Sequence, residues 1–368
     1  MGFRCGIVGL PNVGKSTLFN ALTRTAAAQV ANYPFATIEP NSGEVAVPDP
    51  RLQPIAAIVK PAQIVPTRIN FVDIAGLVRG ASKGEGLGNQ FLATIREVDA
   101  IVHVVRCFKD DDVTHVEGKI DPIADIDTIE TELMLADLDS LEKRVDNLEK
   151  KAKGSGEDAK QAKETLDLVN RSLVLLREGK PARLVERKPE EDKLFHSLGL
   201  LTSAPVLYAC NVEEAAAATG NEFSAKVEQR AKAEGAIAVV ISAKIESEIA
   251  MLPADERADY LAAVGLNETG LDRLVRAGYA LLHLVTYFTV GPKEARAWTI
   301  TKGTKGPQAA GVIHSDFERG FIRAETIGYD DYVATGGEAG ARDAGKMRLE
   351  GKDYVVADGD VMHFRFAT

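Results

Sequence analysis

The chain has 368 residues, 45% hydrophobic and 27% charged, values near those of ordinary globular proteins, so neither disorder nor a fibrous repeat is indicated. Its formal net charge of −10 argues against a surface that binds nucleic acid over its whole extent, although a local basic patch is compatible with it. No apolar run approaches the roughly 20 residues that cross a bilayer, and the first residues lack a signal-peptide pattern, so we expect a cytoplasmic protein without membrane contact.

Five short apolar runs rich in β-branched residues predict buried, parallel strands. They cover residues 4–8, 69–73, 100–105, 205–210 and 236–241. Helical patterns lie between several of them, at residues 16–24, 87–97 and 224–234. This alternation of strands and helices predicts an α/β fold with a doubly wound sheet.

A glycine-rich segment follows the first strand and opens the first helix. Residues 9–16 read Gly-Leu-Pro-Asn-Val-Gly-Lys-Ser and match the P-loop pattern in the context that the motif requires. Its backbone amides would surround phosphates, Lys15 would supply a cation to the β- and γ-phosphates, and Ser16 would offer a hydroxyl to Mg²⁺. The segment therefore predicts a nucleoside triphosphatase.

Two later segments supply candidate Mg²⁺ ligands. The second strand ends in Asp73, the position of a Walker B carboxylate, and Gly76 follows where its amide could approach the γ-phosphate. Thr37, in a loop-like segment before this strand, is the candidate second hydroxyl ligand; a surface threonine is the alternative interpretation. We therefore predict a metal site formed by Ser16, Thr37 and Asp73.

The loop after the third strand contains two further candidates. Phe108 could pack on the base. Ras-like enzymes place a glutamine after D-x-x-G to orient the attacking water, but Leu77 occupies that position, so we expect slow intrinsic hydrolysis. His115 is one candidate to assist the reaction, and an ordinary surface histidine is an equally good interpretation.

Roughly 100 residues separate the third and fourth strands, far more than a normal crossover, which indicates an inserted domain. Within it, apolar residues recur at a 3.5-residue period in two stretches. These residues are Met134, Leu138, Leu141, Val145 and Leu148, then Ala162, Leu166, Val169, Leu173 and Leu176. Gly154 and Gly156 lie between the stretches, so we predict an antiparallel helical hairpin with arms of roughly 30–35 Å. The hairpin either closes its own seam only or also contacts a partner.

The fourth strand leads into the segment that reads the base in Ras-like proteins. Their N-K-x-D motif uses an aspartate carboxylate to accept two hydrogen bonds from guanine. Here Val212 replaces the lysine and the longer Glu214 replaces the aspartate, so we expect a weakened preference for guanine. Asn211 can still bond adenine edges, and Ser242 and Ala243, after the fifth strand, would support the base.

From about residue 283 the pattern changes to a compact α+β domain. Strands are predicted at residues 286–290, 297–301, 354–356 and 362–366, with a helix beginning at 309–314. Acidic and basic residues nearly balance over this part, so its composition shows no strong electrostatic footprint.

Together these motifs resemble those of the YchF family, the Obg-like ATPases among the translation-factor class of P-loop GTPases. The resemblance covers the whole chain and includes Asn32-Tyr33-Pro34-Phe35, the segment from Asp73 to Val78, the glycine-rich residues 80–91 and Asn211 to Glu214. It implies a Ras-like P-loop domain at residues 1–125 and 200–282, a coiled-coil hairpin at 126–199, and a TGS-like β-grasp domain at 283–368.

The resemblance also implies an activity and partners. It suggests an ATPase that admits GTP, that associates with the ribosome through its large subunit, and that regulates translation or stress responses, with RNA contacts through the hairpin and the TGS-like domain. Lys15 and His115 would be catalytic, and Asn12 could help to hold K⁺ beside the phosphates. The residues assigned to the nucleotide are Asn12, Val13, Gly14, Lys15, Ser16, Thr17, Gly76, Phe108, Asn211, Val212, Glu214, Ser242 and Ala243.

Two other functions fit the same residues. The chain could be a GTP-specific switch of the Obg class, if Asn211 to Glu214 read guanine despite the substitutions. It could also be a scaffold in which ATP only stabilises the fold while the hairpin and the C-terminal domain bind partners.

Overall fold

The computed structural model describes residues 3–30, 42–74, 87–110, 120–253 and 255–367. Its strands are β1 Arg4–Val8, β2 Ser42–Ala46, β3 Gln63–Val65, β4 Arg68–Asp73, β5 Ala100–Arg106, β6 Val206–Asn211, β7 Ile237–Ile241, β8 Leu284–Val290, β9 Glu294–Thr301, β10 Phe321–Gly328, β11 Arg348–Glu350 and β12 Asp360–Phe366. Its helices are α1 Lys15–Val30, α2 Leu52–Val59, α3 Leu87–Ile95, α4 Pro122–Ala152, α5 Glu157–Arg177, α6 Asp192–Ser197, α7 Glu222–Glu234, α8 Ala243–Ile249, α9 Arg257–Ala263, α10 Gly270–Leu281, α11 Gly306–Ile313, α12 Ser315–Arg319, α13 Tyr329–Ala334 and α14 Glu338–Asp343.

The chain divides into two compact units. One combines Phe3–Glu44 with Asn70–Gly278, and the other combines Val45–Ile69 with Tyr279–Thr368. The predicted P-loop domain included residues 45–69, which the structure places in the second unit. Sequence patterns did not indicate that residues 45–69 belong to the second unit, because α2 and β3 contact residues more than 200 positions later in the chain.

The first unit is built on a six-stranded sheet in the order β2-β4-β1-β5-β6-β7. The pairs β4–β1, β1–β5, β5–β6 and β6–β7 are all parallel, and these five strands are the five that the sequence predicts. Every residue of β5 and β6 is buried, as expected for strands covered on both faces. Since parallel strands end at the same edge, the carboxyl ends of β1, β4, β5, β6 and β7 lie together there.

The predicted helical hairpin is present as α4 and α5, which are joined by a turn at residues 153–156. Helix α4 is longer than the apolar stripe suggested: it has 31 residues, or about 46 Å, and begins at Pro122 with Asp121 as its N-cap. Proline at the first helical position and an aspartate cap explain this early start.

The seam of the hairpin differs from a simple two-helix coiled coil. Leu166 is only half-buried, whereas Leu168, which the 3.5-residue period did not select, is fully buried. The reason is a third layer of chain after α5, whose apolar residues share one core with both helices. These residues are Ala182, Val185, Phe195, Leu198 and Leu200.

The second unit contains a mixed six-stranded sheet in the order β11-β10-β12-β8-β9-β3. Neighbouring pairs β8–β9, β10–β12 and β10–β11 are antiparallel, while β12–β8 and β3–β9 are parallel. Leu52 and Ile55 of α2 share a core with Phe288 and Ile327, which joins α2 to this sheet. The predicted strand at 354–356 is wrong, because Val355 forms only an isolated bridge with Lys305.

The state of the cysteines and the character of the helices are the remaining features of the fold. Cys5, Cys107 and Cys210 are free and buried. Within the part of the chain that the structure describes, no helix combines the length and apolar character needed to cross a membrane.

Candidate nucleotide-binding site

The loop between β1 and α1 has the backbone that the P-loop pattern requires. Asn12 and Gly14 have positive φ angles of 64° and 91°, a backbone conformation that residues other than glycine rarely adopt. A Cβ on Gly14 would overlap Asn211 Nδ2, and a Cβ on Gly9 would lie 2.9 Å from the carbonyl oxygen of Val104. Close packing therefore requires glycine at both positions, and the backbone conformation also requires it at Gly14.

The N-terminus of α1 carries the predicted phosphate-binding residues. Leu18 N–H donates to Gly14 O at 3.0 Å, so the helical hydrogen bonds start there and the preceding amides have no helical carbonyl to bind. Ser16 and Thr17 are exposed in this first turn. Free amides, the helix dipole and exposed hydroxyls together form an environment suited to an anion and its metal ion.

Lys15 and Asp73, predicted separately from two motifs, are brought into contact by the fold. Strand β4 lies beside β1 with Asp73 opposite Ile7, which places the carboxylate next to the start of the loop. Lys15 Nζ forms an ion pair with Asp73 Oδ1, and the two side chains are 12% and 19% exposed. The pair sets a cation for phosphate and a carboxylate for metal side by side at the carboxyl edge of the sheet.

Asn211 joins three segments of the site. Its Nδ2 donates to Val13 O at 2.9 Å, and its Oδ1 accepts from Ala243 N at 2.9 Å. Its backbone oxygen accepts from Cys107 N at 2.8 Å. The contact of Asn211 with the base stays a prediction; in the structure this buried side chain holds the P-loop and the loop after β7 together.

Arg106 is a residue that the sequence analysis missed. It is 1% exposed, and its guanidinium lies 4.6 Å from the centroid of the Phe108 ring. The same group donates to Phe108 O at 3.3 Å and to Asp110 O at 3.2 Å. Arg106 thus supports the position of half-buried Phe108, and a charged residue ending an otherwise apolar strand was the signal that could have identified it.

The segment after Asn211 presents two glutamates with different partners. Asn221 Nδ2 donates to both Glu213 carboxylate oxygens, at 3.1 and 3.3 Å. Lys244 Nζ lies 2.6 Å from Glu214 Oε1. Val212 is buried, and its N–H donates to Ile241 O at 2.9 Å. The sequence analysis selected neither residue, and the partner of Lys244 lies on a different loop.

Ser242 and Ala243 lie directly beside Asn211, as predicted. Ser242 is 2% exposed, and its Oγ has no hydrogen-bond partner among the residues that the structure describes. A buried hydroxyl without a partner is costly, which makes it a candidate group for a ligand or a bound water. The remaining predicted residues, Thr37, Gly76 and His115, lie outside the described residues.

Comparisons with known proteins agree with this arrangement. The family model YchF-GTPase_C, a protein of unknown function, matches residues 284–367, and a model for a 50S ribosome-binding GTPase matches residues 4–136. The Ribosome-binding ATPase YchF of Haemophilus influenzae is 58% identical over 366 residues, which cover 100% of this chain and 99% of that protein. The same-named protein of Bacillus subtilis is 57% identical over the full length of both chains.

Solved structures extend the match to three dimensions. The structure of the Schizosaccharomyces pombe YchF GTPase superposes with a TM-score of 0.89 at 38% identity and covers 99% of this chain and 98% of its own. A GTP binding protein from Pyrococcus horikoshii shares the fold, with a TM-score of 0.59 at 19% identity. Full-length identity well above half, together with the P-loop and its Lys15–Asp73 pair, shows that the chain belongs to the YchF family of P-loop nucleotide-binding proteins.

Proposed function

We propose that the chain is a ribosome-binding ATPase that also admits GTP and cycles slowly as a nucleotide switch in the cytoplasm. The contact between Lys15 of the P-loop and Asp73 of β4 carries this proposal, since it assembles the two groups that phosphate and metal need. Relatives at 58% and 57% identity are named ribosome-binding ATPases, which supports the same activity here.

The residues of the site suit Mg²⁺. Ser16 supplies an exposed hydroxyl at the start of α1, and Asp73 supplies a carboxylate at the neighbouring strand end, both oxygen ligands that Mg²⁺ prefers. We assign Ser16, Thr37 and Asp73 to this ion, which when bound would neutralise charge on the β- and γ-phosphates. Asn12, at the exposed turn of the P-loop, is our candidate for a K⁺ ligand.

Several residues would share the remaining work on the nucleotide. The amides of Val13 to Thr17 and the Lys15 ammonium would bind the phosphates, with the Gly76 amide at the γ-phosphate. Phe108 would contact the base face beside Asn211, Val212 and the Ser242–Ala243 loop. Catalysis would rest on Lys15, with His115 as the candidate that assists hydrolysis.

Preference for ATP follows from the state of the base loop. Glu214 replaces the guanine-reading aspartate and is longer by one methylene, so its carboxylate is misplaced for accepting both guanine donors. Competition of ADP and GDP against a fluorescent nucleotide tests this assignment. Comparable affinities or a preference for ADP are expected, and a thousand-fold preference for GDP would establish the GTP-specific alternative.

Exposed basic residues on two surfaces support a contact with ribosomal RNA. Near its tip the hairpin carries five exposed lysines that make no ion pair within the described part of the chain: Lys150, Lys151, Lys153, Lys160 and Lys163. The same stretch carries five exposed acids, Asp146, Glu149, Glu157, Asp158 and Glu164, so its lysines offer individual cations to the phosphate backbone of RNA and not a net positive patch. We assign the large ribosomal subunit as the partner that this surface contacts.

The second basic surface lies on the sheet of the C-terminal unit. Arg323 of β10 and Arg365 of β12 are exposed and stand directly opposite each other. Like charges in this position are destabilising, which is relieved when an anion binds between them. Glu325 pairs with Arg365 at 3.1 Å, and its pKa is lowered by Arg365 first and by His363 and Arg342 nearby.

Sedimentation with purified large subunits tests the partner assignment. Lys15→Ala should abolish ATP hydrolysis and change the amount of protein bound in ATP relative to ADP. If Lys15→Ala removes nucleotide binding while ribosome association and cellular effects persist unchanged, the scaffold alternative is correct. Alanine at Arg323 and Arg365 should reduce binding, while alanine at Lys302 and Lys305 serves as a charge-matched control.

A further inference from the structure

The base loop and the loop after β7 are joined at two depths. In the buried layer, Asn211 Oδ1 accepts from Ala243 N at 2.9 Å. At the rim, Lys244 Nζ lies 2.6 Å from Glu214 Oε1, with side chains 66% and 47% exposed. The buried hydrogen bond already holds the two loops together, so the exposed ion pair is not needed for that purpose and can have a different role.

Glu214 is the acidic group of this segment whose partner is a cation. Glu213 is bonded instead to the neutral amide of Asn221, which also donates to Cys107 O at 2.6 Å and caps the start of α7. The other acids that act on Lys244 are Glu248 and Asp110, and its pKa is raised first by its hydrogen bond to Glu214. Lys244 is therefore tied primarily to the carboxylate at the guanine-reading position.

The two purine bases differ at the edge that such a carboxylate would meet. Guanine presents an N1–H and an amino group, both donors, whereas adenine presents N1 as an acceptor beside its amino group. A free carboxylate rewards the guanine donors and repels the adenine N1 lone pair. An ammonium on that carboxylate reduces its acceptor capacity and its negative charge.

We infer that Lys244 is a specificity-determining residue, which selects adenine over guanine nucleotides by pairing with Glu214. This inference rests on the proposed function, in that the loop from Asn211 to Glu214 must face the base. It goes beyond it by assigning the selection to the cation on a different loop, rather than to the length of the glutamate alone.

The test measures dissociation constants for ADP and GDP in Lys244→Met and in the wild type. Methionine keeps the aliphatic stem and removes the charge, so the ratio of the GDP to the ADP constant should fall by about threefold or more, given the modest strength of exposed ion pairs. Lys244→Arg should retain the wild-type ratio. An unchanged ratio in Lys244→Met, or an equal loss of both affinities, would overturn the inference.

Two further variants distinguish an effect of the Lys244–Glu214 ion pair from a general effect of positive charge near the site. Lys109→Met removes another exposed lysine of the first unit, whose carboxylate partner is Glu222 at 3.8 Å, and should leave the ratio unchanged. In a Glu214→Gln background, Lys244→Met should have no effect on the ratio, because the carboxylate is gone. A shift that persists in that background would show that Lys244 acts without Glu214, against the inference.

Failure of the proposed function gives a different result. If Asn211→Ala and Phe108→Ala leave both affinities at wild-type values, the loop does not face the base and the proposed function is wrong at this point. If those variants weaken binding while the Lys244→Met ratio stays constant, only the role of Lys244 is refuted.

Discussion

The side-chain amide of Asn211 donates a 2.9 Å hydrogen bond to the carbonyl oxygen of Val13, across 198 residues of sequence. With its second bond to Ala243 N, this buried side chain fixes the P-loop to the loop after β7. One residue therefore links the loop that we assign to the phosphates with the loop that we assign to the base.

Asn211→Ala should lower affinity for both ADP and GDP and destabilise the fold by about 1–3 kcal/mol, because the Val13 carbonyl and the Ala243 amide lose their partner. Asn211→Asp should be worse, since a carboxylate oxygen would face the Val13 carbonyl. Nucleotide titration and urea unfolding measure both effects. Asn170→Ala, at an exposed position of α5, is the neutral control.

Gly14→Ala should abolish nucleotide binding while the remaining fold persists. The methyl group would overlap Asn211 Nδ2 at a residue whose φ is 91°, so it must shift the P-loop. Replacing Asn211 by alanine in the same chain relieves the overlap but not the backbone strain, so the double variant should recover only part of the affinity. Full recovery would show that the backbone conformation is unimportant.

Asp73→Asn should separate metal binding from phosphate binding. The variant removes the negative charge beside Lys15 but retains a side chain of the same shape. ADP affinity without Mg²⁺ should stay the same or rise, because Lys15 is released from its ion pair, whereas the gain in ATP affinity on adding Mg²⁺ should shrink at least tenfold. Calorimetric titration with and without Mg²⁺ measures the difference, and an undiminished metal effect would refute the assignment of Asp73.

Arg183→Met should destabilise the first unit strongly. Arg183 contacts Glu130 at the base of α4 and lies 2.9 Å from Glu234 of α7, and all three side chains are at most 11% exposed. Glu130 and Glu234 would keep their contacts with Arg230 but lose the more buried of their two cations, which costs about 1–3 kcal/mol. Arg177→Met, which breaks an exposed pair with Glu142, should cost under about 1 kcal/mol in the same urea experiment.

His103 should make the stability of the fold sensitive to acid. Burial first, and the charge of Arg183 second, lower its pKa from 6.5 to about 3. Between about pH 6.5 and pH 3, His103 is protonated in the unfolded chain but not in the folded chain. The free energy of unfolding therefore decreases as the pH falls through this window, by at most about 1.4 kcal/mol per pH unit from this group.

Replacing His103 with phenylalanine should flatten that dependence, which unfolding measured at pH 7.5 and pH 5.0 can detect. Phenylalanine preserves the ring beside Tyr208, whose centroid lies 5.8 Å away. His363→Gln, at an exposed position, should retain the wild-type dependence. An equally steep profile in His103→Phe would assign the acid sensitivity to other groups.

Local sequence patterns determined much of this molecule. The five parallel strands, the P-loop with Lys15 and Ser16, the carboxylate of Asp73 and the two hairpin helices were all predicted, because each is encoded by periodicity or spacing within a few dozen residues. The α/β class follows from the order of those segments along the chain.

Only the tertiary structure decided which distant groups meet. It pairs β3 with the C-terminal sheet and packs α2 against that sheet. It also brings Arg106 into contact with the ring of Phe108, connects Asn211 to Val13 and Ala243, and pairs Glu214 with Lys244. Each of these depends on strand order and on loops that converge at one sheet edge, and no local period records that convergence. The residues that we assign to the phosphates can therefore be recognised in the sequence, whereas the side chains that we propose to select the base are brought together only by folding.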